Sequence, residues 1–225
     1  MPTISLTSHV DARKLESARY VLLRRLAPTL RHDIASALQP ISILSMLIEK
    51  KLQKSPLELP TLARNAAQLS LSARDAASTC MKLMSWLEPS PGDLVTVANG
   101  VEDAAKSLQT EFSLRGFCIV TQTEHIERKI PRSITCCVLT AALIAFTDAL
   151  STAGEISIAA DIVDNNLLLR IYVSALHALP TQSDLPTYRK LEWDEALVLA
   201  QAELVQLTYD ERSFQVKWSV GSDSV

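Results

Sequence analysis

The sequence predicts an α+β protein, in which a long antiparallel helical hairpin is followed by an α/β sandwich. Two long stretches carry apolar residues at three-, four- and seven-residue spacing, which is typical of amphipathic helices. Helix-breaking residues cluster at 88–92, where the character of the chain changes. Beyond them, apolar segments flank a hairpin turn signal at 163–166. We therefore predict two domains, 1–90 and 91–225.

The first predicted helix begins near residue 12. Leucine and alanine recur on one face over 12–27, and Pro28 follows directly. A proline inside a helix removes one backbone donor and bends the helix. We expect a continuous but bent helix that reaches Lys54, with a second bend at Pro40.

The second predicted helix spans 61–87 and follows a short turn-like connection at 55–60. Two long helices joined by a short loop form an antiparallel hairpin. Such a hairpin has a long apolar face and no cover of its own. We therefore expect two copies to associate as a homodimer whose helices form a four-helix bundle.

The second domain is predicted from segments whose apolar spacing changes between helical and strand patterns. The predicted order is helix 95–114, strand 117–121, helix 132–150, strands 155–162 and 167–173, helix 193–207 and strand 213–220. This order predicts a sandwich in which helices cover one face of a sheet.

Composition excludes several classes of protein. The 225 residues are 48% hydrophobic and 21% charged, and the net charge of -3 makes nucleic acid and anionic membranes poor partners. The longest apolar run, at about 134–146, is too short to span a membrane, and the N-terminal residues do not resemble a signal peptide. We therefore expect a soluble, cytoplasmic protein. The four cysteines lack metal-ligand spacing, so no metal site is expected, and Cys136 and Cys137 are interpreted as buried thiols.

The segment 31–41 carries the most informative pair of residues, His32 and Asp33, at the head of an amphipathic helix. The apolar stripe that follows consists of Ile34, Ala37, Leu38, Ile41, Leu44, Ile48 and Leu52. At about 100° per residue, His32 lies roughly 180° from Ile41. The spacing therefore predicts that the His32 imidazole faces water, where another protein can reach it.

Apart from Ser36, which stands where the pattern has Asn, this segment resembles the His-Asp-x-x-Asn-x-Leu-Gln-x-Ile phosphoacceptor box of one branch of sensor histidine kinases and of histidine phosphotransferases. The second domain resembles the ATP-binding domain of histidine kinases. Residues 93–95 and 115–117 look like parts of its first helix and strand, and 143–149 look like its second helix. The resemblance extends from about residue 15 to 220 and implies a histidine-kinase-ATPase-like sandwich after a dimerisation hairpin.

The nucleotide-binding elements of that domain are missing from this sequence. Its Asn positions fall near Ala145 and Ala149, which leaves Asp148 as the one candidate Mg²⁺ ligand. No Asp-x-Gly-x-Gly occurs at 173–180, no glycine-rich lid follows, and the final Gly-x-Gly is replaced at 209–213. The resemblance therefore implies a degenerate, ATPase-like domain without ATP binding, as in stand-alone histidine phosphotransferases.

Such a protein carries phosphoryl groups between response-regulator receiver domains, which bring their own Mg²⁺, and needs no cofactor. The resemblance implies that His32 is the phosphoacceptor and that Asp33 orients or activates its ring. The other candidate contacts to the phosphoryl group or the receiver are Arg31, Ser36, Ala35 and Gln39. The implied activity is that of a phosphotransferase rather than an ATP-dependent kinase.

Several alternatives remain open from the sequence. Asp33 and Arg31 also fit ordinary solvated charges on a helix. The whole chain also fits a catalytically silent, histidine-kinase-like scaffold or inhibitor that binds a kinase or a response regulator. An active kinase with unorthodox ATP binding and a helical adaptor unrelated to signalling are further alternatives.

Overall fold

The structure is a computed structural model that describes residues 11–54, 56–87, 90, 92–174 and 190–219. Its helices are α1 (Ala12–Leu52), α2 (Leu59–Leu87), α3 (Val97–Leu114), α4 (Thr140–Ala149) and α5 (Trp193–Ala202), and a π-helical segment, Ile134–Leu139, leads directly into α4. Its strands are β1 (Leu94–Thr96), β2 (Cys118–Gln122), β3 (Lys129–Pro131), β4 (Glu155–Val163), β5 (Asn166–Ser174), β6 (Val205–Tyr209) and β7 (Ser213–Ser219). Long N-terminal helices followed by a mixed sheet confirm the predicted α+β class.

Five strands form one sheet in the order β2-β4-β5-β7-β6, and β1 pairs with β3 separately. Strand β2 runs parallel to β4, whereas the other neighbours in the sheet are antiparallel. Burial alternates along the strands, so that Ile156 and Ile158 of β4 and Leu169 and Ile171 of β5 are buried. Helix α3 contacts β2, and α5 contacts β6. One face of the sheet is therefore covered by helices.

The structure corrects the predicted helix 193–207. Helix α5 ends at Ala202, and β6 follows as an edge strand that pairs with β7. Leu204, with φ of 54°, turns the chain between these two elements. Val205 and Leu207 are both buried at the two-residue spacing of a strand. The prediction missed this strand because an apolar residue at 207 also continues the helical spacing. It also missed β1 and β3, which have only three residues each.

The contacts of the chain divide it into two compact units. The first, here called the hairpin unit, contains residues 27–90. The second, here called the sheet unit, combines residues 1–26 with residues 91–225. The predicted domains differ from these units at the beginning of α1. Ala18, Leu22, Arg25 and Leu26 are buried within the sheet unit, a role that the predicted division did not assign to them.

In the hairpin unit, α1 continues through Pro28 and Pro40 as one helix, as predicted. The less exposed positions of α1 include Ile34, Ala37, Ile41, Leu44 and Ile48, and those of α2 include Leu62, Asn65, Leu69, Ser72 and Ala76. Both sets follow the alternating three- and four-residue spacing of a coiled-coil seam. The α2 set includes the polar residues Asn65 and Ser72. The less exposed face of α2 is therefore not purely apolar, whereas the sequence predicts a long apolar face for the hairpin.

Large apolar side chains remain exposed in the hairpin unit. They are Leu38, Ile43, Met46, Leu47, Leu52, Leu57, Leu59, Leu71, Met81 and Met84. None of the helices in the part of the chain that the structure describes is long and apolar enough to cross a membrane. Apart from Leu57, which lies in the connection between them, these exposed apolar side chains belong to α1 and α2.

Candidate functional site

The sequence predicts that His32 faces water, and the structure places it there. The side chain of His32 is 69% exposed, and that of the neighbouring Asp33 is 46% exposed. The Nδ1 atom of His32 lies 3.4 Å from Oδ1 of Asp33, a long contact between groups on adjacent residues. The pair occurs in the interior of α1, where the helix holds the Cα positions of both residues fixed.

The other predicted site residues, Arg31, Ala35, Ser36 and Gln39, are also exposed. At about 100° per residue, Ser36 and Gln39 lie within roughly 40° of His32 around the helix, Ala35 within 60° and Arg31 at 100°. The structure therefore brings Ala35, Ser36 and Gln39 together with His32 on one water-facing surface, and Arg31 lies at its side.

This surface continues further along α1 than the sequence prediction included. Ile43, Met46 and Leu47 are 49%, 65% and 42% exposed, and all three lie within about 60° of His32 around the helix. At about 1.5 Å per residue, Ile43 lies about 16 Å along the axis from His32. The helical angle of about 100° per residue places these three positions near His32 from the sequence alone, but the sequence prediction considered only the apolar stripe on the opposite face.

Asp148, the predicted candidate Mg²⁺ ligand, is buried and engaged at both oxygens. Oδ1 lies 3.2 Å from Nη2 of Arg25 and 2.8 Å from Nη1 of Arg115. Oδ2 accepts a hydrogen bond of 3.1 Å from the backbone N–H of Leu191. Two guanidinium groups and a backbone amide therefore occupy three of the roughly four acceptor positions of this carboxylate. The structure thus places Asp148, which the sequence left as the one candidate Mg²⁺ ligand, in a buried cluster of ion pairs.

The turn between β6 and β7, which corresponds to the replaced Gly-x-Gly, is closed by its own side chains. Asp210 accepts hydrogen bonds from the backbone N–H groups of Arg212 and Ser213 and from the Ser213 hydroxyl. These bonds lower the pKa of the Asp210 carboxyl. The segments 175–180 and 180–189, where glycines were also missing from the sequence, lie outside the described residues.

This turn borders a cavity of about 690 Å³. Its described lining includes Ala149 of α4, Val173 of β5, and Asp210 and Glu211 of the turn. Trp193 and Tyr209 also line it and stack on each other, with ring centroids 4.1 Å apart. The turn that replaces the final Gly-x-Gly therefore borders a cavity whose described lining includes aromatic and acidic side chains and the guanidinium of Arg212.

The cysteines follow the prediction at the positions it addressed. Cys136 and Cys137 are buried in the π-helical segment, with their sulfur atoms 3.6 Å apart. The hydrogen bond to Cys137 and burial both raise the pKa of the Cys136 thiol. The interpretation as buried thiols is confirmed for this pair, whereas Cys80 and Cys118 are exposed.

Comparison with known proteins gives matches among solved structures only. No family model matches the chain, and no curated protein sequence matches it. The chain is similar to the Acinetobacter baumannii histidine kinase AdeS, at 16% identity over 82% of this chain and 97% of that chain, with a TM-score of 0.42. It is similar to a bacterial phosphotransferase at 14% identity over 95% and 99% of the two chains, with a TM-score of 0.40.

A third similar structure is the histidine kinase ThkA in complex with the response regulator protein TrrA. The identity is 14%, the match covers 96% of this chain and 66% of that chain, and the TM-score is 0.37. These three solved structures are thus two histidine kinases and a phosphotransferase.

Proposed function

We propose that this protein is a histidine phosphotransfer protein of a two-component phosphorelay. In this proposal His32 takes a phosphoryl group from the aspartyl-phosphate of one response-regulator receiver domain and passes it to a second. The observation that carries the proposal is the site itself, an imidazole that is 69% exposed beside a carboxylate on a long helix. The His-Asp phosphoacceptor pattern of the sequence supports the same role.

The contact between His32 and Asp33 favours one chemistry at the ring. When Nδ1 holds the proton and donates to Oδ1 of Asp33, Nε2 keeps an unshared electron pair. Nε2 attacks the phosphorus of the aspartyl-phosphate, a P–N bond forms, and the P–O bond breaks to leave the aspartate carboxylate of the receiver. The Asp33 carboxylate stabilises the positive charge that the phosphorylated ring carries. The reverse step on a second receiver returns the ring to its starting state.

The residues around His32 suit the approach of a folded domain. Ala35 and Ser36 are small, and Gln39 is uncharged, so that a receiver can bring its phosphorylated residue to the ring. Arg31 lies at the side of this surface with a charge opposite to that of the phosphoryl group. In this proposal the Mg²⁺ comes from the receiver, because the site needs to supply only the nucleophile and its placement.

The sheet unit supports a receiver rather than ATP as the phosphoryl donor. The charge of Asp148 is balanced by the guanidinium groups of Arg25 and Arg115 rather than by a metal ion. In the described lining of the cavity bordered by the turn, the two carboxylates of Asp210 and Glu211 outnumber the one guanidinium of Arg212, which disfavours a polyphosphate there. In this proposal the phosphoryl group therefore comes from a phosphorylated receiver domain.

We further propose that two copies associate through the hairpin unit. Leu38 of α1 and Leu71 of α2 lie outside the rows of less exposed positions and are about half exposed. Exposed apolar side chains in such numbers are typical of interaction surfaces. A four-helix bundle from two hairpins would cover them while leaving the His32 surface open.

Incubation with purified, phosphorylated receiver domains of the same organism tests the proposal. We expect an acid-labile phosphoryl group on the peptide that contains His32. His32→Ala should abolish it, whereas His125→Ala, a matched change at an exposed loop histidine, should not. Failure with the full set of receivers, or transfer that persists in His32→Ala, would refute the proposal. Stable receiver binding without transfer would instead identify a silent scaffold.

A further inference from the structure

A buried cluster of four charges joins the beginning of α1 to the rest of the sheet unit. Nη2 of Arg25 lies 2.5 Å from Oε1 of Glu111 on α3 and 3.2 Å from Oδ1 of Asp148 on α4. Nη1 of Arg115 lies 3.3 Å and 2.8 Å from the same two oxygen atoms. Two guanidinium groups therefore balance two carboxylates. Because isolated charges are costly to bury, the cluster is most favourable when all four members are present.

The two arginines are held in different ways. Arg115 also donates from Nη2 to the backbone carbonyl of Thr147, at 2.8 Å, and its guanidinium lies 5.4 Å from the centre of the Phe117 ring. Among the described residues, Arg25 has no comparable second attachment, and its buried Nε finds no hydrogen-bond acceptor there. Helices α3 and α4 thus stay connected through Arg115 when Arg25 leaves. Arg25 is the removable member of the cluster.

The segment that carries Arg25 has a small apolar contact with the sheet unit. Ala18, Leu22 and Leu26 are its buried apolar side chains, and they lie on the same side of α1 as Arg25. The core of the rest of the unit is built from many fully buried side chains of the sheet and of α3, α4 and α5. Release of the segment therefore exposes much less apolar surface than unfolding of the unit.

We propose that Arg25 is a latch, which holds residues 12–26 of α1 on the sheet unit and opens as a separate step while the remainder of the unit stays folded. The open state leaves Arg115 as the one cation for Glu111 and Asp148, and water then reaches the excess carboxylate. Burial already raises the pKa of Glu111, and the nearby Asp148 raises it as well, although Arg25 and Arg115 lower it. The balance of charge in the cluster therefore determines the fraction of molecules in which residues 12–26 lie on the sheet unit. A partner that binds the freed segment would shift it toward the open state.

The latch predicts a charge-specific rescue. Arg25→Met removes the cation and leaves one excess negative charge beneath the closed segment, so that the open state becomes more populated. Adding Glu111→Gln removes one negative charge and leaves Arg115 paired with Asp148. The double variant should therefore open less than Arg25→Met alone, which a purely packing role of Arg25 does not predict. Arg25→Lys, which keeps the charge, should open less than Arg25→Met.

Native-state trypsin cleavage after Arg19, a site that all variants keep, measures the open population, while amide hydrogen exchange in α3 reports unfolding of the unit. We expect cleavage of Arg25→Met to be at least about tenfold faster than in the wild type, with α3 exchange unchanged. The double variant should be cleaved at least about threefold more slowly than Arg25→Met. Arg24→Met, a matched change at the exposed neighbour, should stay within about twofold of the wild type. Unchanged cleavage in Arg25→Met, α3 exchange that rises together with cleavage, or a double variant at least as open as Arg25→Met would overturn the latch.

Discussion

The hairpin unit and the sheet unit differ in the fraction of their apolar side chains that is buried. The sheet unit buries nearly complete rows of them under its helices, as at Ile156, Ile158, Leu169 and Ile171. In the described part of the hairpin unit, Ala76 is the one apolar residue that is buried. Apolar surface that a unit does not cover by itself is available to other proteins. The two units therefore differ in how much apolar surface they leave exposed. His32, the proposed phosphoacceptor, lies on the hairpin unit, which leaves more of it exposed.

The difference in burial predicts a large difference in mutational cost for the same substitution. Leu143→Ala, in the centre of α4, should lower the free energy of unfolding by about 2–5 kcal/mol, because the side chain is fully buried. Leu47→Ala, where the leucine is 42% exposed, should change it by about 0.5 kcal/mol or less. Urea unfolding of both variants measures these costs. Similar losses for the two would contradict the comparison.

Self-association should depend on the flank of α1 that faces away from His32. Leu38→Glu places a charge among apolar side chains that the proposed second copy covers, and we expect the dimer dissociation constant to rise about 100-fold, or about 2.7 kcal/mol. Sedimentation equilibrium measures it. The control is Ile43→Glu, because Ile43 is equally exposed, at 49%, but lies on the side of His32. If both variants dissociate to the same extent, the assignment of the two sides is wrong.

Receiver recognition should show the reverse dependence. Ile43→Glu should raise the KM for a phosphorylated receiver about tenfold, which corresponds to about 1.4 kcal/mol, because it places a charge in the surface that continues from His32. The kcat should change little, since Ile43 lies about 16 Å along the helix axis from His32. Initial rates of phosphoryl transfer over a range of receiver concentrations give both constants. A change in kcat alone would be inconsistent with a docking role.

The smallest expected effect is a pH dependence within the sheet unit. Burial raises the pKa of Glu111 above its ordinary value of 4.5, so the folded chain holds this proton more tightly than the unfolded chain. The contribution of Glu111 to stability is therefore fully present below pH 4.5 and is lost as pH rises through its folded pKa. The free energy of unfolding of the wild type minus that of Glu111→Gln should fall over this range. Urea titrations at several pH values measure the difference, and a rise with pH would contradict this sign.

Much of the fold could be predicted because its long elements have clear periodicity. Helix α1 follows the predicted continuous path through Pro28 and Pro40, and the turn at 163–166 joins β4 to β5 as expected. Strand β6 was missed because five residues contain too few alternations to distinguish a strand from the end of a helix. Short strands such as β1 are also determined by their pairing partner, which local sequence does not reveal.

The candidate site could be predicted in part from one helix. The exposure of His32 followed from helical phase, since it depends only on residues near it in sequence. The surroundings of Asp148 could not be predicted in this way, because Arg25 and Arg115 come from distant parts of the chain. A sequence pattern places a carboxylate on a helix, whereas tertiary packing decides whether it meets a cation or water. The roles of His32 and its neighbours remain predictions.

The most direct test of the central proposal compares two phosphoryl donors on the same preparation. The wild-type chain and His32→Ala are each incubated with radiolabelled MgATP and, separately, with a labelled phosphorylated receiver domain. We expect label on His32 from the receiver, no label from MgATP, and no label on His32→Ala from either donor. Label on the wild type from MgATP alone, or equal label on His32→Ala from the receiver, would contradict it.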